Sequence, residues 1–238
     1  MKMQSVIRAI YPAQCVACEA QTEAEHGLCG TCWRDTWFIH GTCCDTCGMP
    51  LPGEGTDLQC DDCMIIARPW DKGRAALVYK DVGRRLALGL KHGDRLDLVP
   101  SLAAWMAHVG RDMVTPDTLL VPVPLHWTRL LKRRYNQAAE LAKGVARVTG
   151  ATVCADALQR PKRTLPLDGH NRDARFVALE GVIAFNPKRV ALLEGRDVII
   201  VDDVMTSGAT FAACTEACMA AGARSVCVLV LARVVKDA

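Results

Sequence analysis

The stretch over residues 198–210 constrains the fold of this chain more than any other part of the sequence. It opens with four consecutive β-branched residues, which are typical of a strand buried on both faces of a parallel sheet. Asp202 and Asp203 follow at the end where open α/β sheets place their ligands. A short loop rich in hydroxyls and glycine comes next, then a helical segment and a second apolar strand from Ser225. The pattern predicts a β-α-β unit of a parallel sheet, with a ligand site at its carboxyl end.

The predicted loop is suited to an anion. Residues 206–210 offer three hydroxyls, several backbone N–H groups and the start of a helix predicted over Phe211 to about Ala221. Carboxylates repel a phosphate but accept hydrogen bonds from hydroxyls, so the acidic pair and the loop together suit a ligand such as ribose 5-phosphate. The alternative is a strand that ends in a solvated Asp pair before a helix cap. The chain has no Walker A loop and no G-x-G-x-x-G, which removes the main support for the common nucleotide-binding folds.

This combination resembles the binding motif for phosphoribosyl pyrophosphate (PRPP) in type I phosphoribosyltransferases, where two acidic residues and a T-[ST]-G-x-T loop follow an apolar strand. In that family the acidic pair holds the ribose hydroxyls and the loop holds the 5-phosphate. The resemblance therefore implies that Asp202 and Asp203 are the catalytic pair. The PRPP-binding residues that it implies are Asp202, Asp203, Val204, Met205, Thr206, Ser207, Gly208, Ala209 and Thr210.

Length and composition are those of a folded protein without a membrane anchor. The chain has 238 residues, of which 50% are hydrophobic and 23% charged, so it can form one large domain or two smaller ones. Its longest apolar runs, such as residues 226–232, are too short to span a bilayer. The N-terminal residues lack the apolar stretch of a signal peptide. We therefore expect a cytoplasmic protein with no membrane span.

Cysteine is concentrated near the N-terminus, where nine of the 13 cysteines precede residue 64. Eight of them form four C-x-x-C pairs, and two such pairs can close a tetrahedral four-cysteine zinc site. Redox chemistry is the alternative, but it requires one reactive pair and not four evenly spaced ones. The spacing thus predicts two structural zinc ions held by Cys15, Cys18, Cys29, Cys32, Cys44, Cys47, Cys60 and Cys63.

The four C-x-x-C pairs, called knuckles below, can share the two zinc ions in two ways. A tandem arrangement joins the first knuckle to the second and the third to the fourth, whereas a cross-braced arrangement joins first to third and second to fourth. Similar short loops within each half favour the tandem arrangement. Gly48 after Cys47 is typical of a C-x-x-C-G turn, which selects Cys44 as the ligand and leaves Cys43 outside the site. Zinc bound by eight thiolates would change the formal net charge from +3 to about −1, so nucleic-acid binding would depend on local basic patches.

A proline-flanked stretch at residues 68–70 separates the cysteine-rich head from the rest of the chain. We predict a double zinc ribbon over residues 1–66 and a phosphoribosyltransferase-like domain over residues 67–238, with a hood segment at about 70–95. Within the second domain the pattern predicts a strand over Leu119–Pro124. It also predicts helices within Tyr79–Asp94, over Ser101–Val109 with Ser101 as the cap, and over Trp127–Thr149.

Two basic segments are candidates to neutralise pyrophosphate. Six Lys or Arg and one Glu lie between His126 and Arg147, after a strand end that is expected to open onto the same crevice as Asp202. A solvated helix face is the ordinary alternative. The second segment begins at Arg160 and occupies the place of the mobile loop of type I phosphoribosyltransferases. The candidate residues are Arg134, Arg160, Lys162 and Arg163.

The segment Arg134–Ala138, preceded by Val121–Pro124, resembles the R-[GY]-[FY]-N-Q motif of the competence protein F (ComF) family. With the cysteine head and the PRPP-like loop, this likeness covers nearly the whole chain. It implies an α/β fold of the type I phosphoribosyltransferase kind, with a parallel sheet flanked by helices and a small N-terminal double zinc ribbon. Family members often have T-x-x-Q in the basic loop, and this chain departs from that pattern with Leu167. Several members are linked to DNA uptake in natural transformation.

Three functional hypotheses follow. The first is an enzyme that binds PRPP with Mg²⁺ and transfers the phosphoribosyl group to an unidentified acceptor with release of pyrophosphate, Mg²⁺ being held mainly by ligand oxygens. The second is a sensor of PRPP or a nucleotide. The third is a DNA-uptake accessory that binds single-stranded DNA or a protein of the competence machinery. Its weakness is a shortage of stacking side chains, since Trp33, Trp37 and Phe38 are the only aromatic cluster in the head and are expected in the ribbon core.

Isolated cysteine and histidine residues outside these motifs are expected to be structural. Cys214 and Cys218, four residues apart on the helix after the loop, are predicted to be buried core residues. His92 and His126 each stand alone beside basic residues.

Overall fold

The computed structural model describes residues 12–23, 25–162 and 181–235. Its main strands are β1 (Lys72–Val78), β2 (Leu119–Pro122), β3 (Thr152–Val153), β6 (Asp197–Met205) and β7 (Ser225–Arg233). They form a parallel sheet of order β1-β7-β6-β2-β3. The longer helices are α3 (Asp81–His92), α4 (Val99–Val109), α5 (Trp127–Arg133), α6 (Gln137–Thr149) and α8 (Ala209–Ala220). Shorter elements are α1 (Gly30–Arg34), α2 (Asp61–Ile65), α7 (Val190–Leu193) and the antiparallel pair β4 (Leu158–Gln159) and β5 (Ala184–Phe185).

The α/β class predicted from the sequence is confirmed, with a parallel sheet flanked by helices. Strand β6 runs further than its β-branched start indicates. Asp202 lies opposite Val230 of β7, and the pairing continues to Met205. Strand β2, by contrast, pairs with β6 only as far as Val201. The two carboxylates therefore remain inside a paired strand on one side and lie beyond the end of β2 on the other.

The helices that follow β6 and β2 cover opposite faces of the sheet. Ile200 belongs to the hydrophobic core that contains Phe211 of α8, whereas Ile199 belongs to the core that contains Leu141 of α6. Adjacent residues of a strand point to opposite faces, so these two cores lie on the two sides of β6. The chain turns toward β7 after β6 and toward β3 after β2. The crevice between β6 and β2 is therefore a topological switch point, where open α/β sheets bind ligands.

The helix predicted over Trp127–Thr149 is wrong as a single element. Arg134 adopts a left-handed conformation, with φ of 65°, and ends α5. Asn136 is extended, and its side chain accepts a hydrogen bond from the N–H of Ala138. Asn136 is therefore the N-cap of α6, which begins at Gln137. The chain therefore bends between two helices and not along one.

The predicted cap at Ser101 is also wrong. Helix α4 starts at Val99, and Pro100 occupies the first turn, where a missing N–H costs nothing. Ser101 lies inside the helix, and its hydroxyl donates a hydrogen bond to the carbonyl oxygen of His26 at 2.6 Å. This serine thus connects the cysteine-rich head to the second domain.

The cysteine-rich head covers the outer edge of β1. Phe38 and Leu77 form an antiparallel bridge, the N–H of Ile39 donates to Ala76 O at 3.0 Å, and the N–H of Val78 donates to Trp37 O at 2.8 Å. An uncovered edge strand can pair with another chain, and these bonds remove that opportunity. The boundary near residue 66 and the hood at about 70–95 remain predictions, although the strand within that segment pairs with the main sheet.

The aromatic residues of the head are only partly in a core. Trp33 and Trp37 are 55% and 54% exposed, whereas Phe38 is half-buried and packs against Trp33 with ring centroids 4.7 Å apart. The expectation of a ribbon core is therefore wrong for the two tryptophans. In the described residues, no helix has the length and apolarity needed to cross a bilayer.

Candidate functional site

The eight predicted metal ligands form two tandem four-cysteine clusters. Within each cluster all four sulfur atoms lie within 4.8 Å of one another. The Sγ atoms of Cys18 and Cys29 are 3.6 Å apart, as are those of Cys47 and Cys60. A tetrahedral zinc ion with Zn–S bonds of about 2.3 Å needs sulfur atoms about 3.8 Å apart, so both clusters fit zinc. The first cluster is Cys15, Cys18, Cys29 and Cys32, and the second is Cys44, Cys47, Cys60 and Cys63.

The second cluster is the more deeply buried one and packs directly on the sheet. All four of its cysteines are buried, whereas Cys18 of the first cluster is exposed. Gly48 has φ of +69°, and a Cβ there would lie 2.6 Å from the backbone nitrogen of Ala75 in β1. Only glycine allows this close approach of the knuckle turn to the strand. Cys43 lies outside the cluster, as the sequence predicts.

One member of the acidic pair, Asp203, is buried and has a carboxylate oxygen that accepts no hydrogen bond from the described residues. Asp203 is 3% exposed, and its Oδ2 atom has no hydrogen-bond partner among the residues that the structure describes. The N–H of Asp203 donates to Oδ1 of Asp202 at 2.8 Å. Burial, and after it the charge of Asp203, raise the pKa of Asp202 well above the usual range of a carboxyl group. Two carboxyl groups so close, with spare acceptor capacity, suit a ligand that brings hydroxyl donors or a cation.

Two cations from distant parts of the sequence face this pair. Lys91, at the end of α3, places its Nζ 3.7 Å from Oδ2 of Asp203, which makes an ion pair that is too long for a hydrogen bond. Arg133 at the end of α5 is half-buried, and burial lowers the pKa of its guanidinium while the charges of Asp203 and Asp202 act in the opposite direction. Burial, followed by the charges of Arg133 and Lys91, lowers the pKa of His92. The sequence reasoning missed Lys91 and Arg133 as site residues.

The loop after β6 ends in a glycine that its neighbours require. Gly208 has φ of 84° and precedes α8 as its N-cap. A Cβ at this position would lie 3.0 Å from the Trp70 ring and 3.2 Å from Nη1 of Arg68. Helix α8 starts at Ala209, two residues earlier than predicted, so Ala209 and Thr210 belong to its first turn. A left-handed glycine before a helix N-terminus turns backbone N–H groups toward one point, which suits an anion.

The four basic candidates from the sequence are not brought together. Burial and then the charge of Arg129 lower the pKa of the Arg160 guanidinium, and the charge of Asp202 acts in the opposite direction. Arg134 is exposed and ends α5, and Lys162 is exposed as well. Arg163 lies outside the described residues. Arg133, unlike the exposed Arg134, is half-buried and interacts electrostatically with Asp203 and Asp202, and its Nη1 donates to Oε1 of Gln137 at 3.3 Å.

Comparison with known proteins agrees with both parts of the chain. The model of the double zinc ribbon domain matches residues 6–64. DNA utilization protein YhgH of Escherichia coli K12 is 29% identical over 230 residues, which cover 93% of this chain and 97% of that protein. Competence protein F of Haemophilus influenzae is 25% identical over 203 residues, which cover 83% of this chain and 86% of that protein. This chain is a homologue of competence protein F.

A second YhgH protein and one solved structure are also similar to this chain. The YhgH protein of Salmonella typhimurium is 28% identical, again over 93% of this chain and 97% of its own length. Among solved structures, the protein TT1426 from Thermus thermophilus aligns with 59% of this chain and 85% of its own, with 16% identity and a TM-score of 0.34.

In this competence protein F homologue, the R-Y-N-Q motif organises the site without entering it. The Tyr135 hydroxyl donates to the carbonyl oxygen of Leu90 at 2.5 Å, next to Lys91. The Asn136 amide donates to Val123 O at 3.0 Å and caps α6 with its oxygen. The motif therefore fixes the end of α3 against the end of β2. This contact holds Lys91 where it can reach Asp203.

Of the isolated residues predicted to be structural, Cys214, Cys218 and His126 are buried, whereas His92 is exposed. Cys214 and Cys218 are fully buried in a hydrophobic core, and burial raises the pKa of Cys214 well above its usual range and that of Cys218 to about 12. His126 is buried and caps α5, with its Nδ1 atom 2.8 Å from the Thr128 hydroxyl.

Proposed function

We propose that residues 202–210 bind a phosphoribosyl ligand, PRPP with Mg²⁺, at the crevice between β6 and β2. The observation that carries the proposal is Oδ2 of Asp203, a buried carboxylate oxygen without a hydrogen bond among the described residues. A buried acceptor without a partner costs about 1–3 kcal/mol, more when it is charged, and a ribose hydroxyl would remove that cost. The Gly208 turn lies a few residues further along the same strand end, where a 5-phosphate could be held by backbone N–H groups.

In this proposal the chain positions the ligand and neutralises the leaving group. Asp202 and Asp203 hold the ribose hydroxyls and the loop holds the 5-phosphate. Lys91, Arg133 and Arg160 supply positive charge near the acidic pair for the pyrophosphate. Mg²⁺ would be held mainly by ligand oxygens. An acceptor forms a bond to C1 of the ribose and loses a proton, and the C1–O bond breaks with its electron pair leaving on pyrophosphate.

We infer a role in DNA uptake from the homologues, whose names refer to DNA utilization and competence. One observation favours direct binding of single-stranded DNA as a second candidate function. Helix α5 carries Trp127, which is 63% exposed, and the exposed basic side chain of Lys132, and it ends at the exposed Arg134. A flat aromatic ring among cations is the ordinary means of stacking a base and neutralising its phosphates. The basic run that the sequence assigned to pyrophosphate would then serve the crevice through Arg133 and DNA through its exposed members.

Phosphorus NMR of PRPP with Mg²⁺ tests the proposal, with and without candidate bases and amines. Release of pyrophosphate that depends on an acceptor would identify an enzyme, whereas line broadening without turnover would identify a sensor. Absence of any PRPP binding would contradict the proposed ligand. Binding of a fluorescent oligothymidine, compared between the wild type and Trp127→Ala, tests the second candidate. A loss of affinity of about 1–3 kcal/mol in the variant is expected for one stacked base.

A further inference from the structure

Three consecutive carbonyl groups of the candidate phosphate loop are held from outside the crevice by two arginines. Arg233 donates from Nη1 to Thr206 O and to Val234 O, both at 2.7 Å, and lies 3.2 Å from Met205 O, which also accepts from the N–H of Val234 at 2.9 Å. Arg68 donates from Nη1 to Ser207 O at 2.7 Å. Arg233 is itself 2% exposed, at the last position of β7 opposite Met205. Burying a charged arginine side chain costs free energy unless its N–H groups make hydrogen bonds.

The direction of these carbonyls sets the direction of the loop amides. In a planar trans peptide the C=O and the following N–H point in opposite directions. When Met205 O, Thr206 O and Ser207 O face the arginines, the N–H groups of the three following residues face away from them. The amides of residues 206–208 are thus turned toward the side of the loop where an anion would lie. The two arginines would thus orient the loop N–H groups toward a bound anion without contacting that anion.

Arg233 also reaches the second four-cysteine cluster. Its Nη2 lies 3.9 Å from Sγ of Cys47, while its Nη1 holds the loop. A parallel connection runs through Trp70, whose Nε1 donates to Thr46 O at 2.6 Å and whose ring fills the space beside Gly208. Both connections begin at the Thr46–Cys47 knuckle, whose position depends on the metal held by four sulfur atoms.

We propose that Arg233 is a positioning residue that couples metal binding in the second cluster to the geometry of the 205–208 loop. With metal bound, the knuckle is fixed and Arg233 and Trp70 hold the loop in the anion-binding conformation. Without metal the knuckle is free to move and the loop loses both supports. The ligand part of this inference rests on the proposed function, whereas the coupling itself is a property of the chain alone.

The first cluster provides a matched control. Arg85 places Nη2 3.5 Å from Sγ of Cys32, so each cluster has one arginine beside a ligand sulfur. Arg85 lies on α3 and makes no hydrogen bond to the loop in the part of the chain that the structure describes. Arg85→Lys and Arg233→Lys therefore make the same chemical change beside the two clusters, and only one of them touches the loop.

Amide hydrogen exchange of the full chain, read at Ala212 and Val234, tests the coupling, because their N–H groups donate to Gly208 O and Met205 O at the two ends of the loop, each at 2.9 Å. Lysine keeps the charge but has a single nitrogen, which cannot occupy both the Nη1 position at the loop and the Nη2 position at Cys47. We expect exchange at these two amides of Arg233→Lys to rise by roughly 10- to 100-fold, the effect of losing one charged hydrogen bond. Arg85→Lys is expected to leave the loop unchanged. Equal exchange in Arg233→Lys and the wild type would overturn the proposal.

Metal-site variants keep the test decisive if Arg233→Lys does not fold. Cys60→Ser removes a ligand of the second cluster and Cys29→Ser removes one of the first. Faster loop exchange only in Cys60→Ser supports the coupling, and the same response in both variants or in neither contradicts it. Ribose 5-phosphate titrated into the same proteins separates the two proposals. If the wild type fails to bind it while the exchange pattern holds, the proposed ligand is wrong and the coupling stands.

Discussion

Asp203 is the residue whose environment most limits what the crevice can bind. Its carboxylate is buried, paired at long range with Lys91, and left with one oxygen that lacks a hydrogen bond within the described ranges. Structural carboxylates that are buried have their acceptors satisfied. The open acceptor of Asp203, at the end of a central parallel strand, therefore supports the proposal that this carboxylate receives a donor from a ligand.

Replacing Asp203 by Ala should remove at least about half of the stabilisation that PRPP with Mg²⁺ gives. Ligand at about 100 times its dissociation constant adds roughly 2.7 kcal/mol, which corresponds to a rise in Tm of about 5–10 °C for a chain of this size. Losing a charged acceptor for a hydroxyl lowers the affinity by roughly 10- to 100-fold. Thermal shift assays measure this, with Glu216→Ala on the exposed face of α8 as the control for charge. A full shift in Asp203→Ala would contradict the assignment.

The raised pKa of Asp202 predicts how stability depends on pH. A carboxyl whose folded pKa is raised favours folding below the unfolded pKa, and that contribution is lost as pH rises through the folded pKa. Asp202→Asn removes the ionisation and keeps an oxygen for the N–H of Asp203. The variant should therefore melt higher than the wild type at pH 8, by about 2–4 °C for each kcal/mol, and about equally near pH 4. Thermal melts without ligand at both pH values test this, and a gain confined to pH 4 would reverse the expected sign.

The ionisation of Asp202 is also expected to change the affinity for the proposed ligand. Ribose hydroxyls and Mg²⁺ both favour the ionised carboxylate, so binding should strengthen as pH rises through the pKa of Asp202.

At the scale of elements, the crevice depends on how helices end and begin. The left-handed residue Arg134 ends α5, and Arg133 before it is half-buried and interacts electrostatically with the carboxylates. Asn136 then starts α6 while its amide holds the end of β2. On the other side of the crevice, Gly208 joins β6 to α8 with a left-handed turn that Trp70 and Arg68 enclose.

A pair of glycine variants separates backbone strain from crowding at the loop. Gly208 and Gly195 both have positive φ, but a Cβ at Gly195 would meet no atom within 4 Å. Ala at either position should cost roughly 1 kcal/mol of stability through the strained conformation. Only Gly208→Ala should also displace Trp70 and Arg68 and reduce the PRPP-dependent shift in Tm. Loss of the shift in Gly195→Ala as well would mean that general destabilisation, and not the loop, is responsible.

At the scale of the molecule, each four-cysteine cluster is continuous with one of the two hydrophobic cores. Cys15 and Cys32 pack in the core with Leu86, whereas Cys44 and Cys60 pack in the core with Phe211. The head is therefore an extension of both faces of the sheet at the β1 edge. Because the head has few large aliphatic residues of its own, its stability is expected to depend on metal.

Metal analysis of the purified protein should give close to two zinc ions per chain. Cys60→Ser should lower this to about one, because the tandem clusters share no ligand. Cys43→Ser is the matched control, since its thiol neighbours the second cluster without belonging to it, and the zinc content should not change. Elemental mass spectrometry measures the ratio. Two zinc ions retained in Cys60→Ser would contradict the four-cysteine assignment.

Much of the fold could be read from local patterns in the sequence. The β-branched run, the acidic pair and the glycine loop predicted β6, α8 and β7, because a parallel strand and the helix after it are encoded by consecutive residues. The C-x-x-C pairs predicted the two clusters for the same reason, since each knuckle is a local turn. The predictions that were wrong concerned helix ends. There, Arg134 and Pro100 decide the boundary through the backbone conformation of a single residue.

Only the tertiary structure could decide which side chains meet across the crevice. Lys91 and Asp203 are brought together because Tyr135 bonds the end of α3 while Asn136 bonds Val123 after β2. Trp70 reaches Gly208 because β1 lies beside β7. Arg233 is an unremarked strand residue in the sequence, yet it joins the loop to the second cluster. The sequence by itself determined the local units and their chemistry. Contacts between residues more than a hundred positions apart depend on strand order, which no local pattern records.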